Sequence, residues 1–202
     1  MTAIKPRFEF RTFAQDFGIV ARKMRAMSEV EKIRESAEIY IISRANDENN
    51  TKIRDQLMDI KVLVQEKEGL EQWNPRLKAA FPMKVESIRD EVFPAFGVAA
   101  PDFQREVYTL DQYLNEIIGP QPELQAVHVY KRRFAFTING CIAELGDVYI
   151  NGAMLRTANL ESTDIAAIVY AKQEVNLKEY DNINYLMAIK RVIGMAPEPI
   201  PW

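Results

Sequence analysis

Charged and aromatic residues alternate in PRFEFR, residues 6 to 11, with Arg7, Glu9 and Arg11 on one parity and Phe8 and Phe10 on the other. A period of two is that of a β-strand, whose successive side chains point to opposite faces. The same pattern recurs downstream. Lys52 and Arg54 oppose Ile53; Asp59 and Lys61 oppose Met58, Ile60 and Val62; Lys131 and Arg133 oppose Tyr130, Phe134 and Phe136. ESAEIYIIS (35 to 43) also has strand composition, and the polar RANDENN after it is rich in turn formers. The longest candidate is VHVYKRRFAFTI (127 to 138), followed by Asn-Gly at 139 and 140, then CIAELGDVYI and a second Asn-Gly at 151 and 152. Asn-Gly between alternating segments is a hairpin signal, so an antiparallel meander is expected.

Between these segments the period changes to that of a helix. Residues 13 to 27 carry Phe17, Val20, Ala21, Met24 and Met27 on one stripe, with Met24 and Met27 read as core. From Lys84 the stripe is Val85, Ile88, Val92 and Phe96, stopped by Gly97 and Pro101. Thr109 is placed to cap a short helix carrying Leu110, Tyr113, Leu114 and Ile117. Helical stripes also mark 163 to 175 and 181 to 194, and the proline-rich residues 195 to 202 read as an irregular tail. Pro75, within EQWNPRLK, marks that segment as an edge strand or loop. Neither a repeat nor a domain boundary stands out, so the expectation is one α+β domain over 1 to 202, an antiparallel sheet flanked by helices.

Composition narrows the function classes. A net charge of -3 argues against general DNA binding, which grows with the number of phosphates neutralised. No apolar run approaches the length of a membrane span, and the single Cys141 rules out an internal disulfide, so the chain reads as cytoplasmic. One histidine, His128, cannot build the usual histidine-based metal or nucleophile sites, and no Gly-rich phosphate loop is present. Chemistry is left to carboxylates, ammonium and guanidinium groups. His128 reads as a packed or rim residue, Cys141 as a small buried one, and Trp73 as packing rather than a nucleobase platform. Homodimerisation is left open.

The charged strand faces admit two readings. They are solvated, as one side of many antiparallel sheets is, or the sheet curls into a barrel and they converge inside. Convergence of so many like charges calls for an anion among them, because ammonium and guanidinium groups donate charge-assisted hydrogen bonds to phosphoryl oxygens. Carboxylates nearby would then hold Mg²⁺ or Mn²⁺ against the phosphates.

The order of these motifs resembles the CYTH or triphosphate tunnel metalloenzyme superfamily, which includes class IV adenylyl cyclases and thiamine, RNA and inorganic triphosphatases. Where that family opens with Glu-x-Glu-x-Lys, this chain has Arg7, Glu9 and Arg11. Lys52 and Arg54, then Lys61, resemble its basic strand residues, and Lys131 and Arg133 its later Lys-x-Arg. Glu144 stands near the next acidic position, with Asp147 taking its place if the register slips by one, and Asn159 and Glu161 stand where the family has Glu-x-Glu. A region where the family tends to be acidic reads Trp73, Pro75, Arg76 and Lys78.

The resemblance implies an antiparallel barrel with a charged tunnel. It implies a phosphate-containing small molecule held by Arg7, Arg11, Lys52, Arg54, Lys61, Arg76, Lys131 and Arg133, and a metal held by Glu9, Glu144 and Glu161. Glu9 and Lys61 would serve turnover. Loss of one glutamate from each paired motif weakens such a metal site. Two outcomes follow: metal-dependent hydrolysis of a triphosphate or polyphosphate, or an anion-binding module with a degraded metal site. A partner-binding protein is the third class, with RANDENN and the tail as contact surfaces.

Overall fold

Eight strands of the computed structural model, which describes residues 6 to 200, close into an antiparallel barrel. In chain order the strands are β1 (Phe8–Ala14), β2 (Lys32–Ser43), β3 (Asn49–Arg54), β4 (Leu57–Lys67), β5 (Leu70–Ala80), β6 (Met83–Lys84), β7 (Val107–Tyr108), β8 (Leu124–Ile138), β9 (Cys141–Ile150) and β10 (Ala153–Ser162). The barrel runs β1-β10-β9-β8-β2-β3-β4-β5, and β6 pairs with β7 apart from it. Closure gives the alternation its meaning, since the two faces of each strand become the inside and outside of a wall. Both Asn-Gly pairs form the expected turns: Asn139 and Gly140 have φ of 49° and 76°, Asn151 and Gly152 of 46° and 90°. Such turns need positive φ at both positions, which Asn and Gly tolerate.

The described residues form two compact units. The first comprises residues up to Ser36, Leu63–Asn74 and the chain from Tyr130 onward. Its core gathers the outward side chains of β1, β8, β9 and β10, among them Phe10, Phe136, Ala143 and Leu160, against Val20 and Met24 of α1 (Gly18–Met27). The second comprises Ala37–Val62 and Pro75–Val129. There Ile41, Ile53, Met58 and Ile60 pack with Val92, Phe93, Phe96 and Tyr113. Those last four belong to short helical segments: α2 (Val85–Ser87), a π turn Ile88–Val92 and α3 (Phe93–Phe96), then α4 (Leu110–Gln112) and a π segment Tyr113–Ile118. Thr109 caps α4 as expected, its Oγ1 accepting from the Gln112 N–H at 3.3 Å while Gln112 Oε1 accepts from the Thr109 N–H at 2.9 Å. Helices α5 (Ile165–Glu174) and α6 (Tyr185–Val192) start at Asp164 and Asn184, whose side chains accept from Ala166 N–H and Met187 N–H.

Three expectations change. Phe13 and Ala14 belong to β1 rather than to a helix starting at 13, because they pair with Thr157 and Arg156 of β10. Met27 is 41% exposed at the end of α1, whereas Met24 is fully buried. Pro75 lies within β5 of the barrel, not in an edge strand or loop. The β1–β5 pairs are Phe8–Gln72 and Glu9–Glu71, nearer the start of β5 than Pro75. The tail from 195 is irregular as far as residue 200, and Pro201 and Trp202 lie outside the described residues. Cys141 is buried as expected, and His128 is exposed. Among the described residues no helix is long and apolar enough to cross a membrane.

Phe10, fully buried, and Tyr170, 54% exposed, give contrasting tests of this core. Phe10→Ala is expected to lower unfolding free energy by about 3–5 kcal/mol, and Tyr170→Ala by no more than about 0.5 kcal/mol. Urea titration of both variants checks this.

Candidate functional site

In the first unit the inner face is organised by Arg11. Register sets Arg11 opposite Asn159, and Asn159 opposite Glu144, so three strands contribute one row. Arg11 is 7% exposed. Its Nε donates to Glu9 Oε1 at 2.6 Å, its Nη1 donates to Thr157 Oγ1 at 3.3 Å and lies 3.5 Å from Glu144 Oε1, and its guanidinium stands 4.8 Å from the Tyr185 ring centre. Burial opposes the charge, but Glu9, Tyr185 and Glu144 outweigh it and hold the guanidinium protonated. The Arg11 backbone is pinned too: its N–H donates to Asn182 Oδ1 at 2.7 Å and its carbonyl accepts from the Ile183 N–H at 2.6 Å. This fixes the start of α6 and carries Tyr185 to the inner face beside Phe13, ring centres 5.0 Å apart.

Lys131 and Arg133 of β8 share that face. Lys131 is 3% exposed, with Nζ 3.7 Å from the Tyr185 ring centre, a cation–π contact. Arg133 Nη1 lies 4.0 Å from Glu144 Oε2, its Nη2 donates to Ser36 Oγ at 3.4 Å, and its buried Nε makes no hydrogen bond. Gly146 leaves room for it, since a Cβ there would stand 3.5 Å from Arg133 Cγ and 3.1 Å from Thr157 Cγ2. Asn159 Nδ2 donates to Glu161 Oε1 at 3.1 Å and Glu9 Oε1 at 3.4 Å, so its amide tethers two carboxylates that a third would repel. Arg7 is exposed and reaches Glu161 Oε2 only at 3.9 Å. The register question is answered by ion pairs: Glu144 points inward to Arg11 and Arg133, whereas Asp147 pairs with Arg156 on the other face.

Glu71 was missed. It stands opposite Glu9 in the β1–β5 pairing, and its oxygens accept from Asn184 Nδ2 and Trp73 Nε1, both at 2.9 Å. Burial pushes its carboxyl up from the usual 4.5, the two hydrogen bonds pull it down, and Glu9 and Glu66 push it up further, with a net rise. The one available signal was the strand parity of LEQW, which the nearby proline obscured.

In the second unit, Glu38 is the buried centre, also missed because it precedes an apolar run without a charged partner two residues on. Arg54 Nη1 lies 3.5 Å and Lys52 Nζ 3.9 Å from its oxygens, and Lys52 lies 4.0 Å from Asp59. Burial holds the Lys52 ammonium below its usual value, aided by Lys61 and Arg54 and opposed by Glu38 and Asp59. Lys61 is exposed, and Arg76, also exposed, donates from Nη1 to Asn49 Oδ1 at 3.1 Å.

The expected metal ligands Glu9, Glu144 and Glu161 do not form a cation site as arranged. Among the described residues no three His, Cys, Asp or Glu side chains come together to hold a metal. The Arg11 guanidinium lies against both Glu9 and Glu144, where it repels a divalent cation and takes up its oxygen ligands.

The raised Glu71 carboxyl predicts a pH dependence. A folded-state value above the unfolded one means that the folded chain binds more protons just above pH 4.5, so this contribution is full below that pH and is lost as pH rises through the folded value. Melting temperature measured against pH should show this component in the native chain and not in Glu71→Gln. An unchanged slope in that variant would remove the assignment.

At the level of sequence no family model and no curated relative matches the chain. Solved structures do. A conserved hypothetical protein from Pyrococcus furiosus superposes with a TM-score of 0.51 at 14% identity, over 89% of this chain and 98% of that one. A proposed adenylate cyclase from Bacillus halodurans gives 0.51 at 8% identity, over 91% and 97%. A proposed adenylyl cyclase from Hippeastrum with a dominant triphosphatase activity gives 0.49 at 10% identity, over 91% and 95%. At these identities the likeness is one of fold. The chain has the closed tunnel-barrel fold that its resemblance to the CYTH superfamily implied.

Proposed function

We propose that the inner face of the first unit binds a triphosphate-containing or polyphosphate anion, with Arg7, Arg11, Lys131 and Arg133 as its contacts. The observation that carries this reading is the buried Arg133 Nε donor without a hydrogen bond, on the same strand face as the buried Lys131 ammonium. Such donors are costly to bury unless a partner arrives, and phosphoryl oxygens are partners matched to guanidinium geometry. Sharing a fold with a proposed adenylate cyclase supports the reading. Phosphoryl oxygens would exchange with the carboxylates that now pair with Arg11 and Arg133.

The reading is binding without turnover. Hydrolysis by the family's route draws on a divalent cation, and the carboxylates here are taken by guanidinium and amide groups instead. Positive side chains supply the neutralising charge that a metal would otherwise bring.

The test is a thermal-shift titration with tripolyphosphate and ATP, with and without Mg²⁺ or Mn²⁺, with phosphate release read in the same wells. Stabilisation that needs no metal and gives no release is expected. Metal-dependent release would replace this reading with the hydrolase, and no stabilisation under any condition would end it. Lys131→Ala should weaken tripolyphosphate binding about ten- to a hundred-fold, the range for a charge-assisted contact. Arg132→Ala should leave binding within about twofold, since Arg132 faces outward, over the Phe134 ring and beside Glu35.

A further inference from the structure

A cavity of about 170 Å³ opens on the outer side of the same wall, beneath α1. The parity that turns Arg133, Glu144 and Asn159 inward turns Phe134, Leu145, Asp147 and Arg156 outward, and these line its sheet side together with Gly146 and Thr157. Phe17, Ala21 and Arg25, spaced four apart along one helix face, form the other. Its lining combines Phe17, Phe134 and Leu145 with Thr157 and four charged side chains. An engineered apolar cavity of about 150 Å³ holds benzene, so this one accepts a single ring or a branched alkyl group.

The rim charges are unequally matched. Arg156 pairs with Asp16 through Nη1 and lies 3.4 Å from Asp147 Oδ1 through Nε, so one guanidinium serves two carboxylates and one negative charge is in excess. Asp16 is fixed further by the backbone N–H groups of Phe17 and Gly18. Arg25 is exposed and makes no hydrogen bond or ion pair among the described residues. A surplus carboxylate and an uncommitted guanidinium thus line the same cavity as Phe17, Phe134 and Leu145.

We propose that this cavity binds a free apolar α-amino acid of leucine or phenylalanine size. The side chain fills the space between Phe17, Phe134 and Leu145, the carboxylate meets Arg25, and the ammonium meets Asp147. A simple aromatic acid complements only Arg25, and a simple amine only Asp147. A residue within a peptide chain carries neither charge. The zwitterion alone matches both sides of the rim.

The experiment is isothermal titration calorimetry of the full chain with L-leucine, L-phenylalanine, phenylacetate and phenethylamine. Saturable binding of either amino acid is expected, with both single-charge analogues at least about tenfold weaker. Arg25→Gln, a surface change, should weaken amino-acid binding about tenfold, and Ala21→Phe, which fills the cavity, should abolish it. Circular dichroism establishes that each variant is folded, and tripolyphosphate binding should be unaffected in both. No saturable binding of either amino acid would overturn the proposal, as would equal binding of the analogues or folded Arg25→Gln that binds like the native chain.

Discussion

A guanidinium buried in the wall of a closed barrel is the constraint on which the first unit's arrangement depends. Taking the Arg11 charge out of water costs several kcal/mol unless geometry and hydrogen bonding offset it, on the order set by ion desolvation. That requirement explains its surroundings: Glu9 two residues away on the same strand face, Glu144 two strands across, and the Thr157 hydroxyl. It also explains the return of the C-terminal segment, whose residues 182 and 183 hold the Arg11 backbone and place Tyr185 over two cations. The inner face is charged, and it is also self-neutralised.

Self-neutralisation bears on function. Arg7 and Asn159 stand where the resembled family carries glutamates, and each change shifts the local balance from oxygen ligands toward nitrogen donors. An asparagine between Glu9 and Glu161 donates to both, so it stabilises a carboxylate cluster without a metal. On the binding reading proposed above, Lys131, Arg133 and Arg11 would attract phosphoryl oxygens by charge-assisted hydrogen bonds. A fold does not fix a reaction, because activity resides in a few side chains while the barrel rests on the wall's outer packing.

Much of the wall is legible in the sequence. Period-two alternation at Arg7 to Arg11, Lys52 to Arg54, and Lys131 to Arg133 marks strands with one charged face, and the two Asn-Gly pairs place the turns of the β8–β9–β10 meander. Gly97 and Thr109 mark helix limits through the backbone conformation and the hydrogen bonds that those residue types favour. These signals are local, carried within a few residues, and chain periodicity expresses them directly.

Other features depend on which strands meet. Glu71 belongs to the site only because β5 pairs with β1 at Glu9, and Glu38 only because it lies within reach of Lys52 and Arg54 of β3. Pro75 reads as a strand breaker, yet β5 runs through it within the closed barrel. The choice between Glu144 and Asp147 turns on a single-residue register, which flips every side chain to the other face. The sequence by itself determined the strand faces and their turns, because those follow from side-chain alternation and local backbone preference. Only the tertiary structure decided which charges neutralise one another, because that depends on strand partners far apart in the chain.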